Sequence, residues 1–187
     1  MIRFALSFLT LFASLSLNAE TRSLLFGINH SYFNTKAETH PTYTPSIGFL
    51  FGFLYARDFA PAFSIRTGGY FTQRVTTIET PTANAHFNIG YIAVPLTAQW
   101  SATNTIQIFF GPVENIKTSS DCTGYMVICN ADDVASANLQ EVGLQAGFRY
   151  SISETWGAEV IYDYPLSENV GSDTRANAVS AATIIRF

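Results

Sequence analysis

The chain has 187 residues, of which 48% are hydrophobic and 13% charged, and its mean hydropathy of +0.17 excludes a disordered polymer, which needs high charge and little apolar surface. Ten Lys and Arg against 14 Asp and Glu leave a net charge of −4, so no basic face exists for a nucleic acid. So few charges also suit a soluble surface poorly, which opens the membrane class.

The first 19 residues have the layout of an export signal: the basic start Met1-Ile2-Arg3, an apolar stretch Phe4–Leu17, and small-residue cleavage at Leu17-Asn18-Ala19. The expected organisation is therefore a signal peptide over 1–19 and one barrel domain over 20–187. The longest later apolar run, Ile47–Ala56, has ten residues and two glycines. A helix of that length cannot cross a bilayer, whereas a tilted strand of about 9–11 residues can. Backbone polar groups inside lipid must be satisfied, and a closed barrel achieves this without helices.

Taken in order, eight segments alternate with a period of two: 24–33, 44–56, 62–74, 88–100, 105–113, 139–150, 156–166 and 177–187. Connections 57–61, 101–104 and 151–155 are short, and 34–43, 75–87, 114–138 and 167–176 are long. This short–long alternation with an even strand number predicts an all-β fold, an eight-stranded antiparallel up-and-down transmembrane β-barrel of the outer membrane. The short turns are expected in the periplasm and the long loops outside. Outward positions such as Leu24, Phe26, Ile28, Phe49, Phe51, Phe53, Ile92, Val94, Ile108, Phe110 and Val160 carry no charge. Trp100, Tyr150 and Trp156 stand at the lower ends, Tyr32 and Tyr164 at the upper ends, as an aromatic girdle requires. Pro95, inside the fourth segment, cannot donate to a ladder and predicts a bulge.

The inward positions are polar: Asn29, Ser31, Arg66, Tyr70, Arg74, Gln99, Gln107, Glu141, Gln145, Arg149, Glu159, Asp163 and Arg186. Eight strands leave a bore that side chains fill, so Arg66, Arg149, Glu159, Asp163, Glu141 and Arg186 are expected to form a lumen charge network. Gly48, Leu50, Gly52 and Leu54, beside Leu25 and Ile184, make part of that bore apolar. A turn centred near Ser153 sets Arg149 opposite Gly157 and Glu159 opposite Gly147, so that Arg149 and Glu159 meet diagonally, with Arg66 reaching them across the lumen.

Cys122 and Cys129 are the only cysteines. In an oxidising compartment they are expected to form a disulfide at the tip of loop 114–138. That loop's Glu114, Asp121, Asp132 and Asp133 lack the spacing of a calcium loop. His30, His40 and His86 fall near the outer rim. His30 and Ser31, as strand neighbours, face opposite sides and cannot act as base and nucleophile. No catalytic, metal or cofactor constellation emerges.

The runs Ile47–Ala56, Phe63–Arg74, Tyr91–Ala98, Ile108–Pro112 and Val142–Tyr150 resemble successive strands of the PorT-like outer membrane protein beta-barrel domain family, common in Bacteroidota. The resemblance covers nearly all of 24–187, and Pro95 sits where that family carries a strand-four proline. It implies a small outer-membrane barrel without catalytic residues, with one branch implicated in protein secretion. Phe187, ending Thr183-Ile-Ile-Arg-Phe187, looks like the terminal aromatic read by the barrel assembly machinery. The expected function is a non-enzymatic outer-membrane component that binds through external loops, its partners being outer-membrane lipid, the assembly machinery and secretion or envelope proteins. A narrow transport pore or an accessory of secretion is the alternative.

Overall fold

The computed structural model describes residues 21–35, 42–80, 83–124, 139–166 and 174–187. They form nine strands: β1 (Thr21–Thr35), β2 (Thr42–Pro45), β3 (Ile47–Ala60), β4 (Phe63–Thr80), β5 (Ala83–Ser101), β6 (Ile106–Gly124), β7 (Gln140–Ser151), β8 (Trp156–Pro165) and β9 (Thr174–Arg186). Both β2 and β3 pair with β4, broken only at Ser46, so they make one wall strand. Every neighbour pair is antiparallel, and the β1–β9 pairing completes an unbroken circuit through β4–β5. The result is a closed eight-stranded barrel, which has no edge to protect.

The period of two produces this wall because successive side chains point to opposite faces. On β8 the pattern is strict: Trp156, Ala158, Tyr162 and Tyr164 are exposed, while Gly157, Glu159, Ile161 and Asp163 are buried. The exposed face of the barrel is a belt of Phe26, Ile28, Phe49, Phe51, Phe53, Ile108, Phe110 and Phe148. In water that surface would be a severe aggregation liability; against lipid chains it is the stable face.

The strands overrun several sequence boundaries. Residues 75–80 and 83–87 are strand and not loop: β4 and β5 stay paired up to Thr80 opposite Ala83. Residues 114–124 belong to β6, which follows β5 as far as Gly124 opposite Ala85. The reason is compositional. Above the lipid an outward face needs no apolar residues, so Thr77, Glu79, Asn84, His86, Ser119, Asp121 and Thr123 look like loop chemistry while occupying outward strand positions. Among the described residues β6–β7 pairing stops at Ile116 opposite Gln140, so β4, β5 and β6 form a taller wall. The eight residues of β6 beyond Ile116 add roughly 26 Å along the strand.

No bulge forms at Pro95, which pairs with Val113 in unshifted register. The adjustment occurs instead in β4, where the β4–β5 ladder skips Gly68 and Gly69 opposite Val94 and Pro95. Gly68 has φ +152, and a Cβ there would collide with the Phe53 carbonyl oxygen of β3, so this position requires glycine. The register shift of β5 lies at Gly90/Tyr91, where Thr118 is the extra residue and its hydroxyl donates to the Gly90 carbonyl at 3.0 Å. This bulge reverses the parity of β6, so Cys122 turns inward and packs, as Tyr43 does, against the cluster of Phe87, Ile89, Tyr91 and Ala176.

Orientation yields a direct expectation. In a Cys122→Ser, Cys129→Ser background, an impermeant maleimide should label Glu79→Cys on intact cells and leave Ser153→Cys untouched until the outer membrane is opened. The opposite pattern would invert the barrel.

Candidate functional site

The lumen is filled in layers. Nearest the short turns lie Arg66, Arg149 and Glu159. Hairpin β7–β8 closes through Ile152 and Ser153 N–H groups donating to the Trp156 carbonyl at 2.9 and 3.0 Å, and Trp156 N–H donating to the Ser153 hydroxyl at 3.0 Å. That shifts the turn centre to Glu154. Arg149 therefore stands directly opposite Glu159, not opposite Gly157 as the sequence suggests. A centre moved by one residue moves each partner by two, which keeps both side chains on the inner face.

Glu159 Oε1 lies 2.9 Å from Arg66 Nη1 and 3.7 Å from Arg149 Nη2, all three side chains being buried. The Arg66 contact lacks hydrogen-bond alignment, so it is a charge contact, not a directed bond. The Arg66 guanidinium also sits 4.0 Å over the Phe109 ring, a cation–π contact that gains strength away from water. Phe109 can adopt that position because residue 147 is glycine: a Cβ there would meet the ring at 2.4 Å.

Above this layer the bore is apolar, closed by Leu25, Leu50, Leu54, Phe109, Ile161 and Ile184. The side chains interlock because Leu25 faces Gly52 on one neighbour and Ile184 on the other.

The second polar layer follows. Arg74 Nη1 donates to both oxygens of Glu141 at 3.0 Å, and the Asn115 amide donates to Glu141 Oε1 at 3.3 Å. The Arg74 guanidinium rests 4.8 Å from the Tyr91 ring centre. Gln145 donates to Asp163 Oδ1 at 2.9 Å and to the Tyr70 hydroxyl oxygen at 2.7 Å. The Asn29 amide donates to the Thr72 hydroxyl at 2.9 Å.

The six residues expected to share one network are thus divided. Arg66, Arg149 and Glu159 come together; Glu141 pairs with Arg74; Asp163 pairs with Gln145. Arg186 stands half-buried at the short-turn mouth and donates to the Ser153 carbonyl. Arg74, Asn115 and Tyr91 around Glu141, and Gln145 and Tyr70 beside Asp163, are partners not assigned to the network from sequence. Arg74 was legible by parity, since 66, 70 and 74 share one face of β4. Asn115 was hidden because 114–138 resembles a loop.

His30 faces outward in edge contact with Tyr32, ring centres 4.6 Å apart, and His86 Nδ1 is 3.0 Å from the Thr77 hydroxyl. His40 and Cys129 lie outside the described residues, as does the span 1–20. Among the described residues, no three of His, Cys, Asp and Glu gather as a metal-holding group. Phe187 is exposed, and its N–H donates to the Arg22 carbonyl at 3.1 Å.

Residues 13–171 match the family model described as outer membrane protein beta-barrel domain. No curated protein sequence matches the chain. Among solved structures it is similar to Ail, the attachment invasion locus protein of Yersinia pestis, at 11% identity over 89% of this chain and 98% of that one, with a TM-score of 0.50. It is also similar to Neisserial surface protein A, at 9% identity over 89% and 97%, with a TM-score of 0.53. At these identities the likeness concerns the fold.

Proposed function

The chain belongs to the outer membrane protein beta-barrel domain family, and we propose that within the outer membrane it is a non-enzymatic interaction protein that binds outside the cell through the tall wall of β4, β5 and β6. One observation carries this. Above the lipid belt the wall continues as paired strands whose outward side chains change from apolar to polar, from Phe71 and Ile92 to Thr77, Glu79, His86 and Asp121. A barrel that only had to span would turn at the headgroups. Ordered strands standing in water need a further use, and rigid scaffolds that present polar surface are where recognition resides. The expected pairing of Cys122 with Cys129 belongs to the same reading: Cys122 faces the apolar lining of the wall, where a covalent clip would brace its rim.

Photo-crosslinking residues at Glu79, His86 and Asp121 on intact cells should yield discrete adducts, and the same probes at Asp58 and Ser153 should not. Adducts confined to the short-turn end would redirect the reading to the accessory secretion role that the PorT-like resemblance implies. The pore alternative is opposed by the apolar layer of Leu25, Leu50, Leu54 and Phe109, and stepwise conductance in planar bilayers would revive it.

A further inference from the structure

The charges of the lumen do not balance layer by layer. The upper layer holds Arg74 with Glu141 and Asp163. The lower end holds Arg66, Arg149 and Arg186, and Glu159 is its one buried carboxylate among the described residues. Arg66 has the 2.9 Å contact with Glu159 and Arg149 only the 3.7 Å one. Arg186 reaches a backbone carbonyl, at Ser153. Asp58, near the end of β3, and Glu154, in the β7–β8 turn, are exposed to water. A guanidinium cannot discharge itself by losing its proton, and an uncompensated cation in a dry wall is costly.

The surplus cations line a cavity. At the short-turn mouth Arg149 and Arg186 border a space of roughly 100 Å³, walled also by Gln99, Ser101, Gln107 and Asp58, room for several water-sized groups. Arg149 is 2% exposed and Gln99 4%. Arg149 Nε, Arg186 Nε and the amide oxygens of Gln99 and Gln107 are buried without a hydrogen-bond partner. Side-chain amides can turn end for end, so both glutamines can offer N–H donors to the cavity. Two guanidinium groups and two amides outweigh the single exposed carboxylate of Asp58 around this small polar space and match the acceptor-rich geometry of an oxyanion.

We propose that the short-turn end of the barrel is a binding site for a small oxyanion, a phosphate or carboxylate group held between Arg149 and Arg186 with donors from Gln99 and Gln107. Ligand charge would complete the lower layer, so occupancy and barrel stability are linked. The site opens at the end away from the external wall, and its ligand reaches it from the short-turn side.

The full chain in detergent micelles is unfolded in urea while sodium phosphate, sodium acetate or sodium chloride is titrated at matched ionic strength. Phosphate or acetate should raise the midpoint saturably and chloride should not. Whichever oxyanion acts at the lower concentration identifies the source chemistry. Arg186→Gln should weaken the apparent affinity at least about tenfold, the value of one lost charge-assisted hydrogen bond. Gln107→Glu supplies the missing carboxylate within the chain. It should raise the midpoint without added anion and abolish the response, which keeps the test decisive if Arg186→Gln fails to refold. Equal responses to all three salts, or a Gln107→Glu variant as responsive as the parent, would overturn the site.

Discussion

Glu159→Gln should lower the urea midpoint of the detergent-folded barrel far more than Glu154→Gln. Glu159 is buried between Arg66 at 2.9 Å and Arg149 at 3.7 Å, whereas Glu154 is exposed in the turn between β7 and β8. Neutralising Glu159 strands two buried guanidinium groups, and removing one partner of such a cluster costs on the order of 3–5 kcal/mol. Glutamine retains the volume, so the loss is electrostatic and not a cavity. An exposed carboxylate in a turn is worth about 0–1 kcal/mol. The Arg66 stack on Phe109 provides a second arm: Phe109→Leu should increase the penalty of Glu159→Gln only slightly, because the ring attracts the cation without cancelling its charge. Equal midpoints for Glu159→Gln and Glu154→Gln would mean that Glu159 is not a buried counter-charge.

That this carboxylate faces inward was legible from parity alone. Glu159 alternates with Ala158 and Val160, and a period-two strand leaves only one face for a charge when the other meets lipid. The partner across the hairpin was not legible, because the Ser153 hydroxyl captures the Trp156 N–H and moves the centre by one residue. Side-chain capture of a turn is a local event that strand periodicity does not encode. The height of the wall was missed for a different reason. In residues 114–124 Ile116 and Cys122 are the only hydrophobic side chains and Thr118 interrupts the alternation, so the stretch matches the composition of a loop. Hydropathy detects where lipid ends, not where hydrogen-bonded strands end. The bulge at Gly90/Tyr91 then hid the inward turn of Cys122, since one extra residue on β6 exchanges its faces.

The upper layer makes the sharpest distinction between a charge pair kept for stability and one kept for specificity. Arg74 and Glu141 are both about 1% exposed, and Arg74 Nη1 contacts both carboxylate oxygens. Glu141→Leu or Arg74→Met alone should cost on the order of 3–5 kcal/mol, each leaving its partner buried and uncompensated. The double variant Arg74→Met, Glu141→Leu removes both charges together and should be more stable than either single variant, because replacing an entire buried pair with apolar side chains is frequently neutral or better. Asn115 then loses its acceptor on Glu141, a deficit of about 1–3 kcal/mol that Asn115→Leu would relieve. A full double-mutant cycle in urea measures the coupling; strictly additive losses would show that the two side chains do not act as a pair. In planar bilayers the double variant should stay silent as well, since the layer beneath it, from Leu25 through Phe109 to Ile184, closes the bore without any charge. Conductance appearing only in the double variant would instead assign the Arg74–Glu141 pair the role of a gate.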